Sequence, residues 1–399
     1  MLEGSTVPFG ATNLNTVDPV TGLEEYTYDP TGALAFNPAD VNREGVIDLN
    51  DAFIVDEYNG YSYENLTQSL DATAQTPVTG AIEPISLVNV QLVDGESAIG
   101  SADLAVENAA LTGVGNTNFY SFNLQKTGPG TVTWARTGGT VTVYPNATLE
   151  ISDGILQIGG SEDPFTDNNA GGAGSTAGNH VAVTVDGTGE LQFIGTAGTN
   201  YTVAGLTINN NTTVDLGTNK LFIDYGAAIN DPIAAIKTYL TSGYNGGSWN
   251  GPGIDSSAAA ANSQHYAVGY ADSSDPGNPA GIPSGELEVR YTLYGDTNLD
   301  GSVNSVDFGA LAANFGESGK NWDQGAFTYN GTVNSVDFGL LAQNFGQSIG
   351  GGSVVTAADW AALDAFAAAN GLLSEVPEPT SAGIIALGVM GALARRRRK

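Results

Sequence analysis

The sequence predicts a mainly β protein: a β-solenoid or sandwich body, then a small α-helical module, then a short apolar C-terminal helix. Three observations carry this. Aliphatic pairs at period two recur between residues 141 and 223, with a turn signal after each. A nine-residue stretch repeats thirty residues further on, running both times into a helical pattern. The chain ends in an apolar run closed by five basic residues.

The body comes first in the argument. Val141/Val143, Leu149/Ile151 and Leu156/Ile158 are separated by Pro145-Asn146, Asp153-Gly154 and Gly159-Gly160. Val181/Val183/Val185, Leu191/Phe193, Leu206/Ile208, Val214/Leu216 and Leu221/Ile223 continue the pattern. Alternation of this kind buries one face of a short strand, and stacked short strands form a solenoid more readily than a sandwich. Gly171 to Gly178 is a glycine-rich loop. After Tyr225 the period changes. Ile233, Ile236, Tyr239 and Leu240 share one face of a helix that starts after Asp231-Pro232, and Leu287, Val289 and Tyr291 form a last strand. The resulting division is an acidic N-terminal segment over 1–79, a β-rich body over 80–225 and a mixed extension over 226–294. A duplicated loop–helix pair over 295–347, a linker and Ala-rich helix over 348–375 and a terminal signal over 376–399 complete it.

Composition narrows the function classes. Of 399 residues, 43 are Asp or Glu and 12 are Lys or Arg, a formal charge of −31. Five of the twelve basic residues are Arg395, Arg396, Arg397, Arg398 and Lys399, so the rest of the chain is more acidic still. Such a charge argues against nucleic acid and suits hard cations. There is no cysteine, which removes thiol chemistry and cysteine metal sites. His180 and His265 are the only histidines, and His265 is read as structural. Residues Met1 to Gly10 carry no basic and apolar leader, so the expectation is that the true N-terminus with its signal peptide is missing.

The duplication has the chemistry of a calcium loop. Gly301-Ser302-Val303-Asn304-Ser305-Val306-Asp307-Phe308-Gly309 recurs as Gly331-Thr332-Val333-Asn334-Ser335-Val336-Asp337-Phe338-Gly339. The first loop begins at Asp296, and Asp296, Asn298, Asp300, Ser302, Asn304 and Asp307 fall at positions 1, 3, 5, 7, 9 and 12, with Gly301 at position 6. A hard cation takes six to eight oxygens, and a glycine at position 6 permits the sharp turn. Val303 at position 8 is expected to anchor the loop to its partner. The second loop has Ala326 at position 1, leaving Thr328, Asn330, Thr332, Asn334 and Asp337. It is expected to bind weakly or not at all and to keep its shape by packing. Asp40 to Asp51 fits the same template, with Asp40, Asn42, Glu44, Asp48 and Asp51 as side-chain ligands and Val46 offering its carbonyl.

The pair resembles a type I dockerin: twin calcium loop–helix segments with Asp at position 12. The resemblance covers about an eighth of the chain. It implies docking to a cohesin-like module through loop positions 10 and 11, here Ser305, Val306, Ser335 and Val336. A purely structural calcium clip is the equal alternative. At the C-terminus, Pro377-Glu378-Pro379 precedes the apolar run Ala382 to Ala394 and the arginine tail. This arrangement is similar to a PEP-CTERM sorting signal, which implies cleavage by an exosortase in Gram-negative bacteria that make extracellular polysaccharide. The basic end reads as a cytoplasmic stop. Residues 205–294 leading into the pair resemble, more loosely, surface proteins of Planctomycetes.

These readings predict an exported, calcium-binding, non-catalytic protein of the cell surface or extracellular matrix, transiently held in the inner membrane. Two alternatives stand beside it. One is a dockerin-bearing enzyme or accessory of extracellular polysaccharide degradation. The other is a glycan-binding adhesin using Trp134, Tyr144 or Trp249, although Trp249 reads first as a core plug.

Overall fold

A computed structural model describes residues 11–17, 24–28, 113–114, 117–119, 123–138, 141–168, 179–209, 211–351 and 355–376. Two strands near the N-terminus, β1 (Ala11–Val17) and β2 (Glu24–Tyr28), pair antiparallel. The loop Asp40 to Asp51, the segment Gly171 to Gly178 and the Pro377 to Lys399 signal lie outside the described residues. Among the described residues no helix is long and apolar enough to cross a membrane.

The body is rich in sheet, and its strands stack in parallel. It comprises β3 (Gly113–Val114), β4 (Thr117–Phe119), β5 (Asn123–Lys126), β6 (Thr131–Gly138), β7 (Val141–Val143), β8 (Thr148–Ile151) and β9 (Ile155–Gly160). It continues through β10 (Ala182–Val185), β11 (Glu190–Phe193), β12 (Asn200–Val203), β13 (Gly205–Ile208), β14 (Thr213–Asp215) and β15 (Lys220–Asp224). Strands β5, β8, β10 and β13 form one parallel sheet, and β3, β6, β9, β11 and β14 another. The chain visits the sheets in turn, so each circuit lays one coil on the previous one, as in a solenoid.

The register puts like on like. Leu124, Leu149, Val183 and Leu206 stack in one buried column, and Val132, Leu156, Leu191 and Val214 in a second. Each fully buried aliphatic side chain contributes about 1.5–3 kcal/mol. Val132 and Leu156 lie 24 residues apart, and Leu191 and Val214 lie 23 apart. Between Leu156 and Leu191 the chain makes an excursion, pinned by the bridge Thr166↔His180. That excursion is why no strict repeat length is visible in the sequence. The corners need glycine. Gly154 (φ 62°) and Gly187 (φ 59°) are left-handed, and a Cβ at either would lie 2.4 Å or 2.3 Å from a carbonyl oxygen of the coil beneath.

The extension closes the end of the stack. Helix α1 (Ile233–Tyr244) buries Ile236 and Leu240 against β16 (Gly253–Asp255), which joins the larger sheet beside β14. Helix α2 (Ser257–Ala261) leads to β17 (Tyr266–Asp272) and β18 (Glu286–Leu293). Strand β18 pairs antiparallel with β15, ending the parallel run. Residues 226–294 are therefore hydrogen-bonded into the body. Strand β17 was not legible as a strand, because nearly all of its side chains are buried and no alternation survives.

The adhesin reading needs correction at two residues. Trp134 and Trp249 are each 1% exposed, so neither offers a sugar platform. Trp134 points into the solenoid core in register with Ile158, and Trp249 donates its indole N–H to the Tyr294 hydroxyl (3.1 Å). Tyr144 is partly exposed.

Candidate metal centre and docking surface

The loop–helix pair folds as two halves with matching turn and cap geometry. Helix α3 (Ser305–Asn314) starts at Asn304 and α4 (Ser335–Asn344) at Asn334, and each has a reciprocal capping box with Asp307 or Asp337. Position 4 of each loop, Leu299 or Tyr329, takes φ 57°. The position-8 valines do anchor the loops, each to the segment leaving the other copy's helix. Val303 donates its amide to Gln347 (2.9 Å) and accepts from Gly346 (2.8 Å). Val333 does the same with Glu317 (3.0 Å) and Gly316 (2.8 Å).

The first loop gathers oxygen. Asp296 and Asp307 are fully buried. Asp296 accepts from the amides of Asp300 (3.1 Å) and Gly301 (2.9 Å) and from the Thr292 hydroxyl. Asp307 accepts from the Thr297 amide (2.8 Å), the Thr297 hydroxyl (2.9 Å) and the Asn304 amide (2.9 Å). Asp300 accepts from the Ser302 amide (2.8 Å) and from Asn298 Nδ2 (3.1 Å), and its own amide donates to Asn298 Oδ1 (3.1 Å). Burial, with the neighbouring carboxylates second to it, pushes Asp296 up to about 7 and Asp307 up to about 6. Arg290 of β18 donates to the Leu299 carbonyl. Among the described residues no three His, Cys, Asp or Glu side chains close on one point. The donor set is nonetheless all hard oxygen, confined to twelve residues, and short of positive charge. It suits calcium in kind.

The second loop is held by packing. Ala326 and Phe327 are buried, and Tyr329 sits in an aromatic cluster with Tyr244, Trp249, Tyr270 and Trp322. Asp337 accepts from the Thr328 amide (3.1 Å) and the Asn334 amide (3.0 Å), and burial raises it. Asn330 accepts from the Thr332 amide (2.8 Å), and Asn334 accepts from Val336 (2.8 Å). The ordinary loop bonds are thus made without an acid at position 1.

The pair is tightly joined to the extension, which the sequence did not foretell. Trp322, fully buried, donates its indole N–H to the Asp296 carbonyl within the pair (2.7 Å) and packs against Tyr294 of the extension, 6.1 Å between ring centroids. Tyr329 donates its hydroxyl proton to the Val268 carbonyl. Asn344 donates to the carbonyls of His265 and Tyr294 (both 2.9 Å), and its side-chain oxygen lies 2.6 Å from His265 Nδ1. A Cβ at residue 269 would lie 2.7 Å from Leu299 and 2.8 Å from Trp322, so Gly269 permits the close approach. Helix α5 (Ala357–Asn370) lays Phe366 against Phe308, Phe315 and Phe338. The other histidine, His180, contacts Thr166 (2.9 Å) and Asp224 (3.5 Å), bracing the excursion.

The docking candidates face outward. Val306 is 63% exposed and Val336 58%, beside the exposed Ser305 and Ser335. The two sites differ in their surroundings. A groove beside Val336 is walled by Gly339, Leu340, Glu375 and Val376, so the chain reaches its terminal signal directly from the face of α4.

That terminal signal carries the comparison with known proteins. Residues 375–399 match the PEP-CTERM protein-sorting motif. The motif supports export and sorting by an exosortase-type system, and with it a membrane-anchored surface protein. No curated protein and no solved structure matches the chain.

Proposed function

We propose that this is a non-catalytic scaffold of the cell surface or extracellular matrix, in which calcium bound in the first loop clips the helical pair to the end of the β body. The observation that carries the reading is the burial of Asp296 and Asp307 in one oxygen-rich loop that two residues of the extension bond directly, Arg290 at the Leu299 carbonyl and Thr292 at the Asp296 carboxylate. Side chains in the loop, Asp296, Asn298, Asp300 and Asp307, would hold the ion, with Ser302 and Asn304 completing the oxygen set. When bound, calcium supplies charge neutralisation and no chemistry. Both histidines and two of the three tryptophan and tyrosine candidates are committed to packing or bracing contacts, which supports scaffold over enzyme or adhesin. Calorimetric titration of calcium into the full chain tests the reading. A binding event that Asp296→Ala removes is expected, and absence of any calcium-dependent heat sinks it.

A docking role is the second reading, favoured by the exposure of Val306 and Val336 at the two helix starts. It calls for a cohesin-like partner, and Val306→Asp with Val336→Asp should then abolish capture of a cohesin module.

A further inference from the structure

The chain runs from the folded module into its sorting motif without a spacer. Helix α5 is fixed by Phe366 among Phe308, Phe315 and Phe338, and by Trp360 against Phe345 (5.0 Å between ring centroids). Past its end the Leu372 side chain is buried, and the Leu372 amide donates to the Ala367 carbonyl (2.7 Å). A 3₁₀ turn (Leu373–Glu375) then lies against α4. The Glu375 carboxylate stands so near Gly339 that a Cβ there would be 3.1 Å from Oε2. Val376 is partly buried and packs against the core. The matched sorting motif begins at Glu375, so its first two residues already belong to the folded surface.

This sets a distance that holds for any conformation of the residues beyond. A chain gains at most about 3.6 Å per residue, so Pro379 lies no more than about 11 Å from Val376. A small folded domain is about 30 Å across. An enzyme that holds Pro377-Glu378-Pro379 therefore meets the surface around Val376 as well. That surface is shaped. Ser335, Val336, Gly339, Leu340 and Gln343 of α4, with the turn, line a recess of about 450 Å³. Among its lining residues only Glu375 is charged, in a chain of formal charge −31. Val336 is exposed there, and so is Leu373 of the turn. The duplication supplies the contrast. Gly309, the counterpart of Gly339, has no atom within 4 Å of the Cβ position, so no such turn lies over α3 at that point.

We infer that the recess between α4 and the 3₁₀ turn is the module's own seat for the exosortase-type sorting enzyme while that enzyme holds the motif. The inference rests on the sorting motif and on the short tether to Val376. The seat fits an apolar projection of the enzyme flanked by hydrogen-bonding groups. Val336 and Leu340 form its apolar wall, and Ser335, Ser374 and Gln343 its polar one. A chain whose helical module has not folded lacks the seat, so processing favours the folded protein.

The test follows cleavage of the full chain in a host with an exosortase, by pulse-chase and intact mass. Val336→Asp with Gln343→Glu, both exposed, should slow cleavage about tenfold, the effect of losing one strong interface contact. Val306→Asp with Ala313→Glu, the equivalent positions of α3, should leave the rate unchanged. Benzoylphenylalanine in place of Gln343 should photocrosslink to the tagged enzyme, and in place of Ala313 it should not. A Gly/Ser linker of about twelve residues between Val376 and Pro377, with a mean span of about 20 Å, should slow cleavage and cancel the effect of the α4 changes. Cleavage of the α4 variant at the unmodified rate overturns the proposal, and so does equal slowing by the α3 changes. A linker that leaves the rate unchanged or raises it overturns the proposal too, as does crosslinking from residue 343 to lipid alone. If circular dichroism shows the α4 variant unfolded, the linker and the crosslink decide. An unmodified chain that stays uncleaved removes the sorting reading itself, and this seat with it.

Discussion

Trp322→Ala asks whether the helical pair and the β body are one cooperative unit. Trp322 is fully buried, with Phe327 at 4.9 Å and Tyr329 at 5.7 Å between ring centroids, and Gly269 opposite it leaves no slack. Truncation to Ala opens a cavity worth about 3–5 kcal/mol. It also strands the Asp296 carbonyl, which loses its 2.7 Å donor at a cost of about 1–3 kcal/mol. At about 2–4 °C per kcal/mol for a unit of this size, the midpoint of unfolding should fall by on the order of 10–20 °C. The assay is thermal melting followed by the β signal in far-ultraviolet circular dichroism, in parallel with tryptophan fluorescence. If the pair caps the solenoid, both probes fall together. A β transition that stays in place while fluorescence reports separate melting would refute the coupling and restore an autonomous docking module.

Three further outcomes are expected. Between the ordinary carboxylate range and about pH 7 the folded, metal-free chain holds protons on Asp296, Asp307 and Asp323 that the unfolded chain has released, so stability should fall as pH rises through that window. Melting in chelator at pH 5 and pH 7.5 checks this, calcium should narrow the difference, and a higher midpoint at pH 7.5 in chelator contradicts it. Gly243→Ala would place a Cβ 1.8 Å from the Ile254 carbonyl oxygen, so α1 must shift from β16, and urea titration should show a loss of about 1–3 kcal/mol. Protein extracted from the surface of a host with an exosortase should lack Arg395 to Lys399 by intact mass, and an uncleaved C-terminus there would leave the signal as an anchor only.

Much of the fold is written locally. Each aliphatic pair from Val141/Val143 to Leu221/Ile223 is buried where period two placed it, because one face of every coil looks inward. Helix α1 buries Ile236 and Leu240 as its spacing foretold, and the caps at Asn304 and Asn334 follow from residue type alone. Other features depend on partners distant in sequence. Lys126 is fully buried at the end of β5, its ammonium donating to the carbonyls of Gly128 (2.7 Å) and Asp153 (3.0 Å), and nothing local marks it as interior.

Local sequence specifies the short-strand body, the duplicated loops with their oxygen-bearing side chains and the terminal sorting motif. These rest on periodicity, on turn chemistry and on residues a few positions apart. Tertiary structure alone decided that the coils stack in parallel and that β18 ends the stack. It alone decided that Ala326, Phe327 and Tyr329 give the second loop to packing, and that Trp322 and Gly269 weld the pair to the body. The physical reason is that burial and electrostatic convergence are set by which surfaces meet, and no local pattern encodes the meeting.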